Sequence, residues 1–238
     1  MRSNKRKTKR SKKRGSRRRK RVFPGMRGGA DMIPRIVIQT SKDPILPGTV
    51  EQLKKQLVNW EYLYFSDNDI MTFFNENVDD AFPDIIAKFN SFATGPHKAD
   101  LFRYYYIYKN GGIFIDSDLM LYDPLTGIVG NNSFISVWAI KPAGSAFNGF
   151  LGATAGHPLI TSALKDLYGL SNEQLQADYT IVCKNLGGFI TSFGGVDVKM
   201  LKELENKDTH CTIQDPDTGK ISLIHYQNMD VPDKPIGL

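Results

Sequence analysis

Apolar residues along this chain fall into short runs and helical spacings. Ile36-Val37-Ile38, within IPRIVIQTS from Ile33 to Ser41, is a β-branched run that predicts a buried first strand. Beyond a loop punctuated by Pro44 and Pro47, Val50, Leu53, Leu57 and Trp60 recur at helical spacing. YLYFSDND predicts a second short strand, with Asp67 or Asp69 opening the helix IMTFFNENV. FPDIIAKFNSF predicts another helix, with Pro83 near its start. In GPHKADLFRYYYIYKNGG, Gly95-Pro96 begins a helix and Asn110-Gly111 ends it. Leu101, Tyr105 and Tyr108 share its core side, while Asp100 and Arg103 share another face at i and i+3. SFISVWAI reads as a strand, and FNGFLGATAG as a turn region of small and polar residues before a helix from about Pro158. LGGFITSFGG is glycine-rich, and KISLIHYQN is a last strand ending in a polar cluster with His225. Strands alternating with helices predict an α/β fold.

The most informative stretch is NGGIFIDSDLMLYD, where an apolar strand run delivers Asp116 and Asp118. On a continuing strand the two side chains share a face, roughly 6–7 Å apart along the chain. Like charges that close are unfavourable unless a cation sits beside them. Aspartates suit hard divalent cations such as Mg²⁺ or Mn²⁺, which keep positions open for phosphate oxygens. Two other readings stay open at this point. Asp-x-Asp also serves phosphatases, with the first Asp as nucleophile and the second as acid, though usually near the start of the fold. It also caps loops at strand ends.

The chain has 238 residues, enough for one domain with a substantial core. Its net charge of +6 conceals an asymmetry. Residues 1–29 hold 15 of the 31 Lys and Arg and no acid, leaving 16 basic against 25 acidic residues in the remainder, a net of −9. We therefore divide the chain into a basic tail over 1–30, expected to be disordered, and a folded domain over 31–238. The tail suits a solubilising role, nuclear import, or contact with nucleic acid or an anionic membrane. A non-catalytic, basic-tailed nucleic-acid-binding protein is the corresponding alternative function, which the acidic body opposes. No apolar run is long enough to span a bilayer, and no apolar segment follows the basic start as in a secretory signal. Cys183 and Cys211 read as free thiols of a reducing compartment, so a cytoplasmic location is expected.

The string from Ala99 to Arg103, followed by Tyr108 through Asp118, resembles the signature of the DXD-containing glycosyltransferases of the capsular-polysaccharide type and of the large clostridial glucosylating toxins. Ile33 to Gln39 is similar to that family's opening strand, and Phe147-Asn148-Gly149 with Gly156-His157-Pro158 is similar to a later segment. The resemblance implies a GT-A fold: one α/β domain with a mostly parallel, Rossmann-like central sheet flanked by helices. It implies a UDP- or GDP-sugar donor, an acceptor hydroxyl on a glycan, lipid or protein, Mn²⁺ or Mg²⁺, and retention of anomeric configuration. Carried onto this chain, Asp100 and Arg103 hold the donor sugar and phosphate, and Asp116 contacts ribose or sugar and the metal through water. Asp118 binds the metal directly, Asn148 lines the sugar pocket, and Ile38 and Gln39 flank the nucleotide. His225 corresponds to a late histidine near the metal, although Tyr226-Gln227-Asn228 replaces the family's Ser-Trp. Val37 and Thr40-Ser41 also depart from the opening pattern. The basic tail resembles the starts of many proteins of large DNA viruses in composition alone.

Overall fold

The computed structural model describes residues 32–41, 45–206 and 210–226. The basic tail lies outside the described residues. β1 (Ile36–Thr40), α1 (Pro47–Lys55), β2 (Glu61–Phe65), α2 (Asp67–Glu76) and α3 (Ile85–Ser91) precede the long helix α4 (Gly95–Asn110). There follow β3 (Gly112–Ile115), β4 (Leu119–Leu121), α5 (Leu125–Val129), β5 (Phe134–Trp138) and β6 (Ala146–Ala153). Then come α6 (Pro158–Gly169), α7 (Asn172–Ala177), α8 (Ile181–Ser192), β7 (Val198–Asn206), β8 (His210–Gln214) and β9 (Ile221–His225).

Local signals account for the N-terminal half. Ser66 caps α2 in a reciprocal box: its hydroxyl accepts from the Asp69 amide, and the Asp69 carboxylate accepts from the Ser66 amide. Pro96 opens α4, and Gly111 closes it at φ 68°, a left-handed conformation that glycine adopts without steric cost. Residues 100–107 of α4 are buried all round, as expected of a helix inside a core rather than on its surface.

The strands form one sheet in the order β2-β1-β3-β6-β5-β7-β8-β9-β4. Alternation along the central strands feeds two cores. Ile38 and Phe114 join the aromatic core under α2, α3 and α4, while Val37, Ile113 and Ile115 join the aliphatic core on the other face. The α/β class is as expected, but the sheet is mixed. β1 runs parallel to β2 and β3, and β5 to β7, whereas the other five pairings are antiparallel. The reason is connection length: parallel neighbours need a crossover, but β8 and β9 are joined by a turn closed by bonds between Asp215 and Lys220 and between Gly219 and Asp215.

One segment differs from its sequence reading. The small residues of Ala146–Ala153 form the central strand β6, not a turn region. A Cβ on Gly152 would sit 2.7 Å from Ile113 Cγ1, so small residues there let adjacent elements approach. The glycine-rich segment lies in α8, where a Cβ on Gly187 would overlap the Gly144 carbonyl oxygen. Among the described residues, no helix is long and apolar enough to cross a membrane.

One constraint shapes the sheet. β3 is third in the order and β4 ninth, yet only Asp116, Ser117 and Asp118 join them. In a flat sheet six strand spacings would cover about 29 Å at ~4.8 Å each. The four Cα steps from Ile115 to Leu119 reach at most about 15 Å. The sheet therefore curls until its last strand comes close to β3, and the Asp-Ser-Asp segment bridges the gap.

Gly112 has φ 110°, and a Cβ there would lie 2.9 Å from the Ile36 carbonyl oxygen. Gly112→Ala is expected to lower stability by about 1–3 kcal/mol in urea titration. Gly188→Ala, at a helical position with open space around it, is expected to be neutral or mildly stabilising.

Candidate functional site

Asp116 and Asp118 do not share a strand face. β3 ends at Ile115, and the two acids occupy the bridging turn, in which the Leu119 amide donates to the Asp116 carbonyl at 3.2 Å. The Asp116 amide donates to the Gly149 carbonyl of β6 at 2.8 Å, and the Tyr226 amide donates to the Asp118 carbonyl at 3.0 Å. Each aspartate is thus tied to a different strand end and meets different partners.

Asp116 faces α4. Arg103, itself only 4% exposed, directs Nη2 to Asp116 Oδ1 at 3.1 Å and to Asp100 Oδ1 at 3.5 Å. Its Nη1 donates to the Asn148 carbonyl at 2.7 Å, and Asn148 Nδ2 donates to Asp100 Oδ1 at 2.9 Å. The guanidinium carbon lies 4.0 Å from the Phe114 ring centroid. Four sequence-predicted residues, Asp100, Arg103, Asp116 and Asn148, therefore form one network. Burial raises the Asp100 carboxyl, and the neighbouring Arg103 offsets part of that shift. Burial likewise pushes Asp116 up to about 6, against the pull of Arg103 and with repulsion from Asp118. Because both terminal nitrogens of Arg103 are engaged with these residues, the guanidinium serves as a counterion beneath the acids.

Gln39 donates to the Asp116 carbonyl at 3.3 Å and accepts from the Tyr62 hydroxyl at 2.9 Å, so it braces the turn. Ile38 has no exposed surface and belongs to the aromatic core, so its side chain does not line the cleft.

Asp118 faces the last strand. His225 Nε2 lies 3.6 Å from Asp118 Oδ2, and Nδ1 lies 2.8 Å from Glu203 Oε1. The imidazole stacks on Phe147 at 4.5 Å and 25°. Burial opposes protonation of His225, but its bonds to Asp118 and Glu203 outweigh that and raise it to about 9. Asp118 Oδ1 is buried and has no hydrogen-bond partner. The other oxygen sits beside an imidazole nitrogen, and the carboxylate oxygens are donors suited to Mn²⁺ or Mg²⁺. Among the described residues no three His, Cys, Asp or Glu are grouped to hold a metal. A cation there would complete its shell from water and phosphate oxygens, as Mg²⁺ commonly does.

Both ends open into a cleft of about 710 Å³ that reaches from Thr40 and Ser41 past Lys98 to Tyr179. Lys98 and Tyr179 were not singled out from the sequence. Lys98 stands in the first turn of α4, two residues before Asp100, and that proximity was the available signal. Tyr179 packs on the buried ring of His97 at 5.2 Å, and nothing in the local sequence indicates it. Gly149 was also missed as a site residue. A Cβ there would lie 2.5 Å from Asp116 Oδ2 and would overlap the Phe147 ring, so only glycine leaves both groups in place.

Comparison with known proteins agrees with this geometry. Residues 46–135, which contain Asp100, Arg103, Asp116 and Asp118, match the family described as glycosyltransferase sugar-binding region containing DXD motif. The chain is 28% identical over 173 residues to inositol phosphoceramide mannosyltransferase 1 of Schizosaccharomyces pombe, covering 70% of this chain and 52% of that protein. It is 27% identical over 111 residues to an uncharacterized glycosyltransferase of Acanthamoeba polyphaga mimivirus, covering 46% of this chain and 43% of the other. The chain thus spans about half the length of these relatives. Among solved structures, the PaToxG glycosyltransferase aligns at a TM-score of 0.43 and 11% identity, over 65% of this chain and 66% of that one. The match to the glycosyltransferase region favours the transferase reading of Asp-x-Asp over the phosphatase one.

Two outcomes follow from the site geometry. Gly149→Ala is expected to cost about 1–3 kcal/mol of stability through overpacking, measurable by denaturant titration. The protonation of His225 is expected to appear in melts of chelator-treated protein. Its folded pKa, about 9, lies above the usual 6.5. Its stabilising contribution is therefore complete below about pH 6.5 and is lost as pH rises through 9. His225→Gln should remove that part of the slope.

Proposed function

We propose that the chain is a metal-dependent glycosyltransferase that moves a sugar from a nucleotide-sugar to an acceptor hydroxyl. The observation that carries the reading is the bridging turn, with Asp116 held by buried Arg103 and Asp118 keeping one buried oxygen unpartnered beside the same cleft. Asp118 and His225 are the proposed protein ligands of Mn²⁺ or Mg²⁺, with Asp116 at the edge of that site. When bound, the cation supplies positive charge for the departing diphosphate.

The protein's own groups have separable tasks in this reading. Asp100 and Asn148 accept and donate hydrogen bonds to the sugar hydroxyls. Arg103 keeps both neighbouring acids in place, so the site is organised before substrate arrives. Lys98, on the cleft wall in the first turn of α4, offers an ammonium to a phosphate oxygen. Gln39 braces the turn on the nucleotide side. The acceptor hydroxyl attacks from the leaving-group face, and the departing phosphate takes its proton, which gives retention of configuration. The yeast relative's name favours a mannosyl donor and an inositol-containing lipid acceptor. The basic tail, with its 15 cationic side chains in residues 1–29, supports contact with an anionic membrane that presents such a lipid.

The test is a panel of UDP- and GDP-sugars with and without Mn²⁺, read by thermal shift and by product formation. One donor is expected to give a metal-dependent shift. Asp118→Ala should lose that shift and lower turnover about 10²- to 10⁴-fold. An Asp118→Ala protein with full transferase activity would refute the assignment.

A further inference from the structure

Glu203 lies on β7, a strand over which the sequence reading found nothing, and it is only 7% exposed. A carboxylate this buried is unfavourable unless its oxygens are paired. Both are: Oε2 accepts from the Ile140 amide at 3.1 Å, and Oε1 lies 2.8 Å from His225 Nδ1. His225 sits two strands away, on β9, with β8 between them.

We propose that Glu203 is a positioning residue that holds His225 with Nε2 turned toward Asp118. The inference rests on reading Asp118 and His225 as the cation's ligands. An imidazole can present a lone pair from one nitrogen only when its hydrogen is on the other. Glu203 accepts the Nδ1 hydrogen, so the lone pair of the neutral ring belongs to Nε2, 3.6 Å from Asp118 Oδ2. The stack on Phe147 restrains the plane of the ring, and the carboxylate fixes its rotation within that plane. Outer carboxylates of this kind orient ligating histidines and raise their basicity. A purely structural need at this position could be met by an apolar side chain, without burying a charge.

Glu203→Gln separates the two roles. The amide keeps the volume and an acceptor for Ile140, but it turns an NH₂ toward Nδ1. Nδ1 then becomes the acceptor, and the ring hydrogen moves to Nε2. Full-chain wild type, Glu203→Gln, His225→Gln and the double variant are titrated with Mn²⁺ by calorimetry. Ring ¹⁵N NMR reports which nitrogen of His225 carries hydrogen in the metal-free protein. The expected result is about 10- to 100-fold weaker Mn²⁺ binding in Glu203→Gln. Above pH 9, where the ring is neutral, Nδ1 should carry hydrogen in wild type and lose it in Glu203→Gln. The double variant should bind no more weakly than His225→Gln. Equal Mn²⁺ affinity in wild type and Glu203→Gln would overturn the role of Glu203 while leaving the metal reading intact. Additive losses in the double variant would show that Glu203 does not act through His225, and would also overturn it. Absence of Mn²⁺ binding by wild type would overturn the metal reading and this inference together.

Discussion

The shortness of the link between β3 and β4 is the constraint on which the site depends. Three residues join strands that stand third and ninth in one sheet. The curl they impose brings the end of the last strand beside the middle of the sheet. Asp116 then meets groups from the helical half of the chain, and Asp118 meets groups from the late hairpin. Without the curl, the acids would point into separate regions of the protein.

The charge arrangement follows from the same closure. Asp100, Asp116, Asp118 and Glu203 gather around one guanidinium and one imidazole. Even with His225 protonated, four carboxylates face two cations, leaving a formal excess of two negative charges. Burial is the main cause of the upward shifts of both Asp100 and Asp116, and repulsion from Asp118 and Asp100 adds to that of Asp116. Arg103 answers part of it from below, where its terminal nitrogens are occupied and its side chain is shielded from solvent. The unanswered charge faces the cleft, beside Lys98.

The N-terminal architecture was legible because its signals are local. Ser66 with Asp69, Pro96 and Gly111 terminate their helices through bonds within a few residues. The Asp100–Arg103 spacing likewise foretold a shared face. What could not be read depends on distant partners. Strand β6 looked like a turn because small residues that permit close packing also favour loops. The strand-face argument for Asp116 and Asp118 assumed an incorrect geometry, since a turn bound at both ends to other strands leaves no local trace. Glu203 sits in a run of mixed charged and apolar residues, and only the fold distinguishes its inward carboxylate from its exposed neighbour Lys202. Ile38 shows the converse: the resemblance placed it beside the nucleotide, but the alternation of β1 sends its side chain into the core.

The pairing of β4 with β9 also bears on biosynthesis. During synthesis, Asp118 leaves the ribosome more than a hundred residues ahead of Tyr226, whose amide its carbonyl accepts. Until β9 has emerged, β4 has no neighbour, since β9 is its partner in the sheet. The nascent chain can assemble β1, β2, β3 and the helices around them, but the half-circle around the two aspartates stays open. A polypeptide stalled or truncated before β9 would carry both aspartates without the strand that completes their surroundings.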